Sequence, residues 1–297
     1  MGMCSRQPYG PAMIGLAPVL RDATIHLSDV SDTPRLDAEL LLAHAVGCNR
    51  SELLLRQHEL SVPDVFFELL TRRLKNEPVA YITGHQAFWS LVLAVTPDVL
   101  IPRADSETLI DAALEAFANR NAPTRILDLG TGSGALLLAA LSAFPKAFGV
   151  GMDSSEAALR VANRNAEQLG FAARSKWLNQ SWRKDEWSAA LGMFDLILCN
   201  PPYVETDAAI KPMVANYEPH NALFAGPEGM DDYRILLPLI PALLAPGGFA
   251  IFEIGHTQAD AVSELASKAG LSIEMRRDLA GKPRALRFSL GIGNLNR

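Results

Sequence analysis

Residues 126–141, ILDLGTGSGALLLAAL, join an apolar strand, a glycine-rich turn and an apolar helix in one continuous stretch. Gly130, Gly132 and Gly134 form the turn. Glycine allows the backbone to turn with positive φ and lets a ligand approach without a Cβ in the way. The helix that follows presents free N–H groups to the same space. We therefore predict an α/β fold that binds a nucleoside cofactor at the end of this strand.

Segments on both sides of this stretch continue the alternation of strands and helices. Residues 106–120 and 155–170 have the apolar periodicity of helices, and the second ends at Gly170, as helices often do. Short apolar strands that alternate with helices predict a mostly parallel sheet covered on both faces. The predicted strands are residues 125–130, 147–153, 194–200 and 247–255.

The region before residue 84 has a helical pattern. Leucines recur at three- and four-residue steps between residues 12 and 83, and Pro34 and Pro63 stand where helices would begin. We expect Asp37 and Glu39 to keep one helix face polar. The pattern predicts a small helical bundle.

Residues 88–103, FWSLVLAVTPDVLIPR, are rich in aromatic and β-branched side chains and are interrupted by Pro97 and Pro102. They predict a β-hairpin between the helical and the α/β regions. The predicted organisation is an N-terminal helical domain at residues 1–85, a hairpin linker at 86–104 and an α/β domain at 105–297.

A carboxylate, Asp153, ends the strand that follows the glycine turn. At that position it can accept hydrogen bonds from both hydroxyls of a ribose. Gly130, Gly132 and Ala135 also match the G-x-G-x-x-A pattern of dinucleotide sites, so nicotinamide dinucleotide and S-adenosylmethionine both remain candidates. Asp128 favours the second, because a carboxylate attracts the cationic methionine part and repels a pyrophosphate.

The segment 194–206, FDLILCNPPYVET, begins as a buried strand and ends in Asn200, two prolines and Tyr203. Ligands collect at the carboxyl edge of parallel strands, where this segment ends. Pro201 holds Asn200 extended, and neither Pro201 nor Pro202 carries an N–H, so the turn offers carbonyl acceptors. The Tyr203 ring can stack on a planar group. The turn therefore suits a planar acceptor with N–H donors, such as an amide or an aromatic amine.

Such a nitrogen is a poor nucleophile, because its lone pair is delocalised. The Asn200 side-chain oxygen and the Pro201 carbonyl can hold its two protons, orient the lone pair toward a methyl donor and stabilise the growing charge. We therefore predict Asn200, Pro201 and Tyr203 as catalytic residues, with Pro202 as a further substrate contact.

Composition argues against several classes of protein. The 297 residues are 49% hydrophobic and 20% charged, with a net charge of −6 and no run of Lys or Arg, as in a globular protein without a nucleic-acid footprint. Cys4, Cys48 and Cys199 lack the spacing of a disulfide framework or a zinc site, and the histidines show no ligand spacing. We predict a cytoplasmic protein without a metal.

Targeting and membrane segments are not predicted either. The first ten residues, MGMCSRQPYG, lack the basic and apolar regions of a secretory signal. Residues 235–252 are uncharged over a membrane-spanning length, but prolines and glycines interrupt them, so we expect a core helix, a turn and a buried strand.

Several motifs together resemble the release factor glutamine methyltransferases of the PrmC/HemK type: EPVAYITGHQAFWSLVLAVTPDVLIPRADSET, LDLGTGSG, NPPY, AGPEGMDDYR and FEIG, in the order of the family. The resemblance extends from about residue 36 to residue 290. It implies a Rossmann-like class I S-adenosylmethionine-dependent methyltransferase domain with a small N-terminal helical-bundle domain that helps to hold the substrate. S-adenosyl-L-methionine would be the donor, leaving S-adenosyl-L-homocysteine, and the Gln of a Gly-Gly-Gln motif in a peptide chain release factor would be the acceptor.

The resemblance also implies roles for individual residues. Asp153 would bind the ribose, and Trp182 would lie near the adenine, with Trp187 as its rival. Ala104 and Ser106 stand where the family commonly has Pro and Thr. The cofactor contacts predicted in this way and from the turn itself are Asp128, Gly130, Thr131, Gly132, Ser133, Gly134, Asp153, Trp182 and Asn200.

Other functions were weighed against this one. The NPPY chemistry serves the exocyclic amine of adenine in DNA or RNA equally well, but the acidic balance offers no basic face for nucleic acid. A dehydrogenase would leave NPPY without a role, and a protein that only binds would be expected to lose Asn200. We predict an enzyme that acts on a protein substrate, as a monomer, without direct contact to nucleic acid or membrane.

Overall fold

The computed structural model describes residues 15–291 and divides the chain into two compact units, Met1–Thr83 and Gly84–Arg297. The segment MGMCSRQPYG, with Cys4, lies outside the described residues.

The first unit is helical where it is described. Pro34 occupies the first turn of its second helix, where the missing N–H costs nothing. Asn49 and Glu52 form a capping box at the start of the third helix, each side chain accepting from the other residue's backbone N–H. The helices are α1 Leu16–Leu27, α2 Pro34–Val46, α3 Arg50–Leu55, α4 Val65–Leu74 and α5 Val79–Thr83.

One expectation for this unit was wrong. Asp37 and Glu39 on α2 are buried instead of forming a polar face, with 8% and 3% of their surface exposed. The Asp37 carboxylate pairs with Arg73 at 2.8 Å, and Glu39 accepts from Arg35 and Arg50. Arginine partners thus replace water around both carboxylates. Arg35 lies one turn before Glu39 on the same helix, but Arg50 and Arg73 come from other helices, which the spacing along α2 does not reveal.

The second unit contains a two-stranded hairpin and a seven-stranded sheet. The hairpin pairs β1 His85–Phe88 with β2 Leu91–Ala94. The strands of the large sheet are β3 Arg125–Leu129, β4 Phe148–Asp153, β5 Ser175–Asn179, β6 Phe194–Cys199, β7 Leu244–Glu253, β8 Leu271–Arg277 and β9 Pro283–Leu290. Their order is β5-β4-β3-β6-β7-β9-β8, with β9 antiparallel to both of its neighbours and the other pairs parallel.

Helices cover this sheet on both faces. Successive residues of a strand point to opposite faces, so Leu196 and Leu198 of β6 join one apolar cluster while Ile197 and Cys199 join the other. The helices of this unit are α6 Glu107–Phe117, α7 Ala135–Ala143, α8 Glu156–Gln168, α9 Pro212–Tyr217, α10 Asp231–Leu236, α11 Ile240–Leu243 and α12 Ala259–Lys268. The predicted fold, a Rossmann-like class I methyltransferase architecture with a helical N-terminal region, is confirmed.

The hairpin differs in position from its prediction. Its turn falls at Trp89 and Ser90, and Trp89 adopts a φ of 55°. The chain from Thr96 to Arg103, which was predicted to belong to the hairpin, is irregular. Pro97 and Pro102 explain this, because each removes a hydrogen-bond donor that a strand ladder would need.

Residues 235–252 form the end of α10, a short 3-10 helix, α11 and most of β7. Among residues 15–291, no helix combines the length and the apolar character needed to cross a bilayer.

Candidate functional site

The sheet brings the glycine turn and the NPPY segment together. Leu129, the last residue of β3, pairs with Cys199, the last residue of β6, and the two strands are parallel. Gly130 and Asn200 therefore leave the sheet side by side at its carboxyl edge. The chain winds from β3 outward to β5 and returns at β6, so the strand order reverses between β3 and β6. Open α/β sheets bind their ligands at such a reversal.

The glycine turn is held by the neighbouring strand. Gly130 and Thr131 both donate their backbone N–H to the Met152 carbonyl at the end of β4, each at 2.9 Å. Gly130 has a φ of 75°, and a Cβ on it would lie 3.1 Å from the Trp182 ring atom Cη2. Only glycine satisfies both conditions without strain.

Asp153, at the end of β4, closes the turn from the other side. Its Oδ2 accepts the backbone N–H of Gly132 at 2.9 Å, and its Oδ1 accepts that of Ser155 at 2.8 Å. Burial raises the pKa of this carboxyl, while the backbone donors lower it. An ionised carboxylate offers about four acceptor positions, so acceptor capacity remains for hydroxyls of a ligand.

Trp182 forms a wall beside Gly130. Its indole Nε1 donates to Asp232 Oδ1 at 2.6 Å, and the Arg183 guanidinium reaches the same oxygen at 2.7 Å. Asp232, on α10, is fully buried. Burial raises the pKa of its carboxyl, although the Trp182 and Arg183 donors lower it in part. Trp187 is only 3% exposed and packs in the apolar core. Of the two tryptophans weighed from the sequence, Trp182 is the one beside the turn.

The NPPY turn is anchored by its own side chains. Pro201 and Pro202 are buried, and the Asn200 Nδ2 donates to Ser106 Oγ at 3.4 Å. The Tyr203 hydroxyl donates to Oε1 of Glu253, the last residue of β7, at 3.1 Å. Burial raises the pKa of Tyr203 well above its usual value, so the phenol stays protonated.

The segment 225–234, AGPEGMDDYR, packs beneath this turn. Gln258 Nε2 donates to the carbonyls of Tyr203 and Gly229, both at 3.1 Å. Gly229 has a φ of 65°, and a Cβ on it would overlap the Tyr203 carbonyl oxygen. The close contact of two backbones explains the glycine at this position.

Ion pairs fix the loop at residues 101–106, which faces the NPPY turn. Arg103 donates to the buried Glu218 at 2.5 Å, and Glu218 also accepts the Ile101 N–H at 3.3 Å. Arg284 on β9 pairs with Asp105 at 2.8 Å. The loop is therefore tied at both ends by charged side chains.

The glycine turn, Asp153, Trp182 and Asn200 line one cavity of about 330 Å³ in the second unit. One wall comes from the glycine turn and the ends of β4 and β5, and the opposite wall comes from residues 98–106 and 219–222. The cavity joins eight of the sequence-predicted site residues: Gly130, Thr131, Gly132, Ser133, Asp153, Trp182, Asn200 and Pro202. Asp128, Gly134, Pro201 and Tyr203 do not line it.

The chain matches two protein-family models. One describes the PrmC N-terminal domain and covers residues 19–84, and the other describes a methyltransferase domain and covers residues 120–271. A release factor glutamine methyltransferase of Rhodospirillum rubrum is 42% identical over 261 residues, 86% of this chain and 78% of the relative. A second, from Caulobacter vibrioides, is 38% identical over 283 residues, 93% of both chains.

This chain belongs to the release factor glutamine methyltransferase family. It is an enzyme of the methyltransferase class, as the sequence predicted. Among solved structures, a methyltransferase from Pyrococcus furiosus superposes with a TM-score of 0.50 at 23% identity, covering 75% of this chain and 98% of that one. That similarity concerns the fold.

Within this family member, Asp128 lies behind the turn and not in the cavity. It is 1% exposed, and its Oδ2 accepts from the Thr131 hydroxyl at 2.6 Å. Burial raises the pKa of Asp128 to about 7. The structure gives Asp128 a contact to the turn, and its predicted contact to a methionine cation stays a prediction.

Four residues of this site were missed by the sequence reasoning: Asp232, Glu218, Glu253 and Arg284. Glu253 carried a usable signal, because it is a carboxylate at the end of an apolar strand, as Asp153 is. Asp232, Glu218 and Arg284 lie far along the chain from the groups they bind, and no spacing rule connects them.

Cys199 is buried at the end of β6, and burial raises the pKa of its thiol well above the usual range, so it is not a nucleophile in this state. In residues 15–291, no three His, Cys, Asp or Glu side chains are grouped so that they can bind a metal ion.

Proposed function

We propose that this enzyme transfers a methyl group from S-adenosylmethionine to the side-chain amide nitrogen of the Gln in the Gly-Gly-Gln motif of peptide chain release factors. One observation carries the proposal. The amide of Asn200 faces the same cavity as the glycine turn, and no described residue donates to its Oδ1. An acceptor oxygen beside a nucleoside site suits a substrate that presents an –NH₂ group. The family relatives carry this activity in their names.

The residues present fit the proposed cofactor. Bound S-adenosylmethionine would supply a methyl carbon activated by a sulfonium, and the protein must hold it without a Cβ or a bulky side chain in the way. Gly130 leaves that space, and Asp153 keeps acceptor capacity for ribose hydroxyls. The Trp182 indole, fixed by Asp232, provides a flat apolar wall. Thr131, Gly132 and Ser133 complete this side of the cavity.

The proposed acceptor chemistry depends on two oxygens of the NPPY turn. The Asn200 Oδ1 and the Pro201 carbonyl would accept the two protons of the substrate –NH₂, leaving its lone pair directed along the cavity. Charge that develops on this nitrogen would meet two fixed dipoles. We assign both residues to substrate binding and catalysis, with Pro202 as a wall of the pocket. Pro201 does not itself line the cavity, so its carbonyl would have to become accessible when the acceptor binds.

Tyr203 keeps its proposed role in substrate binding, and the structure gives it a second one. Its hydroxyl bonds to Glu253 and its carbonyl to Gln258, so both ends of the residue hold the turn in place. Stacking on the substrate would require its ring to become accessible from the cavity when the release factor binds.

The deciding experiment is mass spectrometry of a purified release factor after incubation with this protein and isotopically labelled S-adenosylmethionine. A mass increase of one methyl group on the Gln of Gly-Gly-Gln supports the proposal. A release factor in which that Gln is replaced by Ala serves as the matched control. Label on the exocyclic amine of adenine in DNA or RNA, at a comparable rate, would overturn the proposal in favour of a nucleic-acid methyltransferase.

We further propose that the enzyme acts as a monomer on a protein surface without direct contact to nucleic acid. The net charge of −6 is consistent with the second point. Methylation should then lose little rate between 50 and 200 mM salt, whereas a substrate held through many phosphates would lose orders of magnitude in affinity.

A further inference from the structure

The amide of Asn200 has two different ends, and only one of them is useful for the proposed chemistry. Its Oδ1 can accept a proton from a substrate –NH₂, whereas its Nδ2 can only donate. In the structure Nδ2 points to Ser106 Oγ, 3.4 Å away, which leaves Oδ1 for the cavity. The two ends have nearly the same shape, so the surrounding hydrogen bonds must select one orientation.

The group that selects it lies behind Ser106. Cys199 pairs with Phe252 in the sheet, so the residues that follow them, Asn200 and Glu253, are neighbours at the carboxyl edge. Glu253 is 1% exposed, and the Ser106 hydroxyl is close enough to lower the pKa of this carboxyl. Its Oε1 accepts from Tyr203, and its Oε2 has no hydrogen bond of ordinary geometry within the described chain.

The protonation state of Glu253 decides which group donates in the hydrogen bonds that link Glu253, Ser106 and Asn200. An ionised carboxylate accepts hydrogen bonds and donates none. Burial is the largest influence and raises the pKa of Glu253, while Arg284 and the hydroxyls of Ser106 and Tyr203 lower it in part. With Glu253 ionised, the Ser106 proton is drawn toward the carboxylate, and the lone pairs of Ser106 Oγ are left to accept from the Asn200 –NH₂.

We propose that Ser106 and Glu253 are positioning residues that fix the Asn200 amide with its oxygen in the cavity. This inference rests on the proposed function, in which that oxygen accepts from the substrate –NH₂. Neither residue touches the reacting atoms. Ser106 acts on Asn200 directly, and Glu253 acts through Ser106.

Glu253→Gln is the sharpest test, because it reverses the hydrogen bonds without changing the shape. Tyr203 donates at the Oε1 position, so the Gln carbonyl oxygen stays there and the Gln –NH₂ takes the position beside Ser106. That –NH₂ donates to Ser106 Oγ, and the Ser106 proton then turns toward Asn200. The Asn200 amide rotates and presents its –NH₂ to the cavity. We expect kcat for the release factor to fall roughly tenfold or more, the effect of losing about one hydrogen bond, with the Kd for S-adenosylhomocysteine unchanged.

Variants of Ser106 supply the controls. Ser106→Ala removes the hydroxyl that links Glu253 to Asn200. Ser106→Thr keeps a hydroxyl at this position and should retain the wild-type kcat. In the Ser106→Ala background, Glu253→Gln should have little further effect, because the two changes act through one connection. Ser267→Ala, an exposed serine on α12, controls for a general effect of losing a serine. Thermal unfolding of each variant shows whether it folds.

A second measurement does not need methylation. The side-chain –NH₂ signals of Asn200 in a ¹⁵N NMR spectrum, assigned by their loss in Asn200→Ala, report hydrogen exchange of this amide. We expect slow exchange in wild type and Ser106→Thr, and faster exchange in Ser106→Ala and Glu253→Gln. The inference would be overturned if exchange were equally fast in folded wild type, Ser106→Ala and Glu253→Gln. It would also be overturned if the losses of kcat in Ser106→Ala and Glu253→Gln added fully in the double variant. A wild type that does not label a release factor would overturn the proposed function, and the exchange result would still decide the orientation of Asn200.

Discussion

Replacement of Asp153 by Ala tests the assignment of the cofactor site most directly. The side chain does two things in the structure. It accepts the backbone N–H groups of Gly132 and Ser155, at 2.9 and 2.8 Å, and it keeps further acceptor capacity beside the cavity that it lines. The Ala variant loses both functions, whereas Asp153→Asn keeps one acceptor oxygen and loses the charge.

The size of the effect follows from these contacts. A hydrogen bond to a charged group contributes roughly 1.5–3 kcal/mol, so two ribose hydroxyls would lose roughly 3–6 kcal/mol. Each 1.4 kcal/mol corresponds to about a tenfold change in Kd, which gives a binding constant weaker by roughly 10²–10⁴. The two backbone N–H groups left by Asp153→Ala can reach water, so we expect a loss of only about 1 kcal/mol each in the free energy of unfolding.

Isothermal titration calorimetry with S-adenosylhomocysteine measures the affinity, and a urea titration measures the unfolding free energy. Asp260→Ala, which removes an exposed carboxylate from α12, is the matched control and should leave the Kd unchanged. Asp153→Asn should fall between wild type and Asp153→Ala. A folded Asp153→Ala variant that binds within about threefold of wild type would refute the ribose assignment. Tight binding of NADH, with none of S-adenosylhomocysteine, would refute the choice of cofactor.

Other substitutions have equally definite outcomes. Asn200→Ala should lower kcat by roughly 10²–10³ in a methylation assay with little change in cofactor affinity, since a preorganised dipole acts mainly on the transition state; near-normal turnover would contradict this. Tyr203→Ala should raise KM for the release factor, and an unchanged KM would show that the ring is not needed for acceptor binding. Gly130→Ala should lower the affinity for S-adenosylhomocysteine, measured by calorimetry, because the φ of 75° strains an alanine by roughly 1–2 kcal/mol and its Cβ presses on Trp182. Asp128 has a folded-state pKa of about 7, above that of the unfolded chain, so its contribution to stability is present at low pH and is lost as pH rises through about 7. Asp128→Asn should reduce the fall in unfolding free energy between about pH 4 and 7, by up to about 1.4 kcal/mol per pH unit in denaturant titrations, and an unchanged slope would exclude the raised pKa.

The parallel core of the fold followed from the sequence because its signals are local. The strand, turn and helix at residues 125–143 are adjacent in the chain, and each has its own residue pattern. The antiparallel pair β8 and β9 was not predicted. Strand β8 contains one buried residue, Leu271, and β9 is only partly buried at both ends, so neither strand has the fully buried apolar run of the parallel strands, and no glycine–aspartate fingerprint marks the pair. Strand β5 was missed because three of its residues, Ser175, Lys176 and Asn179, are polar and it has no continuous apolar run.

The residues of the candidate site also fall into two groups, those that the sequence could identify and those that it could not. Gly130, Asp153 and Asn200 could be found because each stands where a strand ends, and parallel strands bring their ends to one edge. Their partners could not be found by this rule. Asp232 binds Trp182 from 50 positions away, and Ser106 reaches Asn200 from 94. Such pairs depend on how loops cross the sheet edge, which no short pattern encodes.

Glu253 shows why the partners matter for the chemistry as well as for stability. A fully buried carboxylate is costly unless several donors satisfy it, so its presence at the end of an apolar strand needs a reason. Tyr203 satisfies it only in part, since Oε2 keeps no hydrogen bond of ordinary geometry within residues 15–291. A neutral Gln would have been less costly to bury, yet it would carry a donor toward Ser106. Under the proposal, the carboxylate is present because, when ionised, it imposes a direction on Ser106 and Asn200, and the NPPY turn then depends on a residue that lies on a different strand.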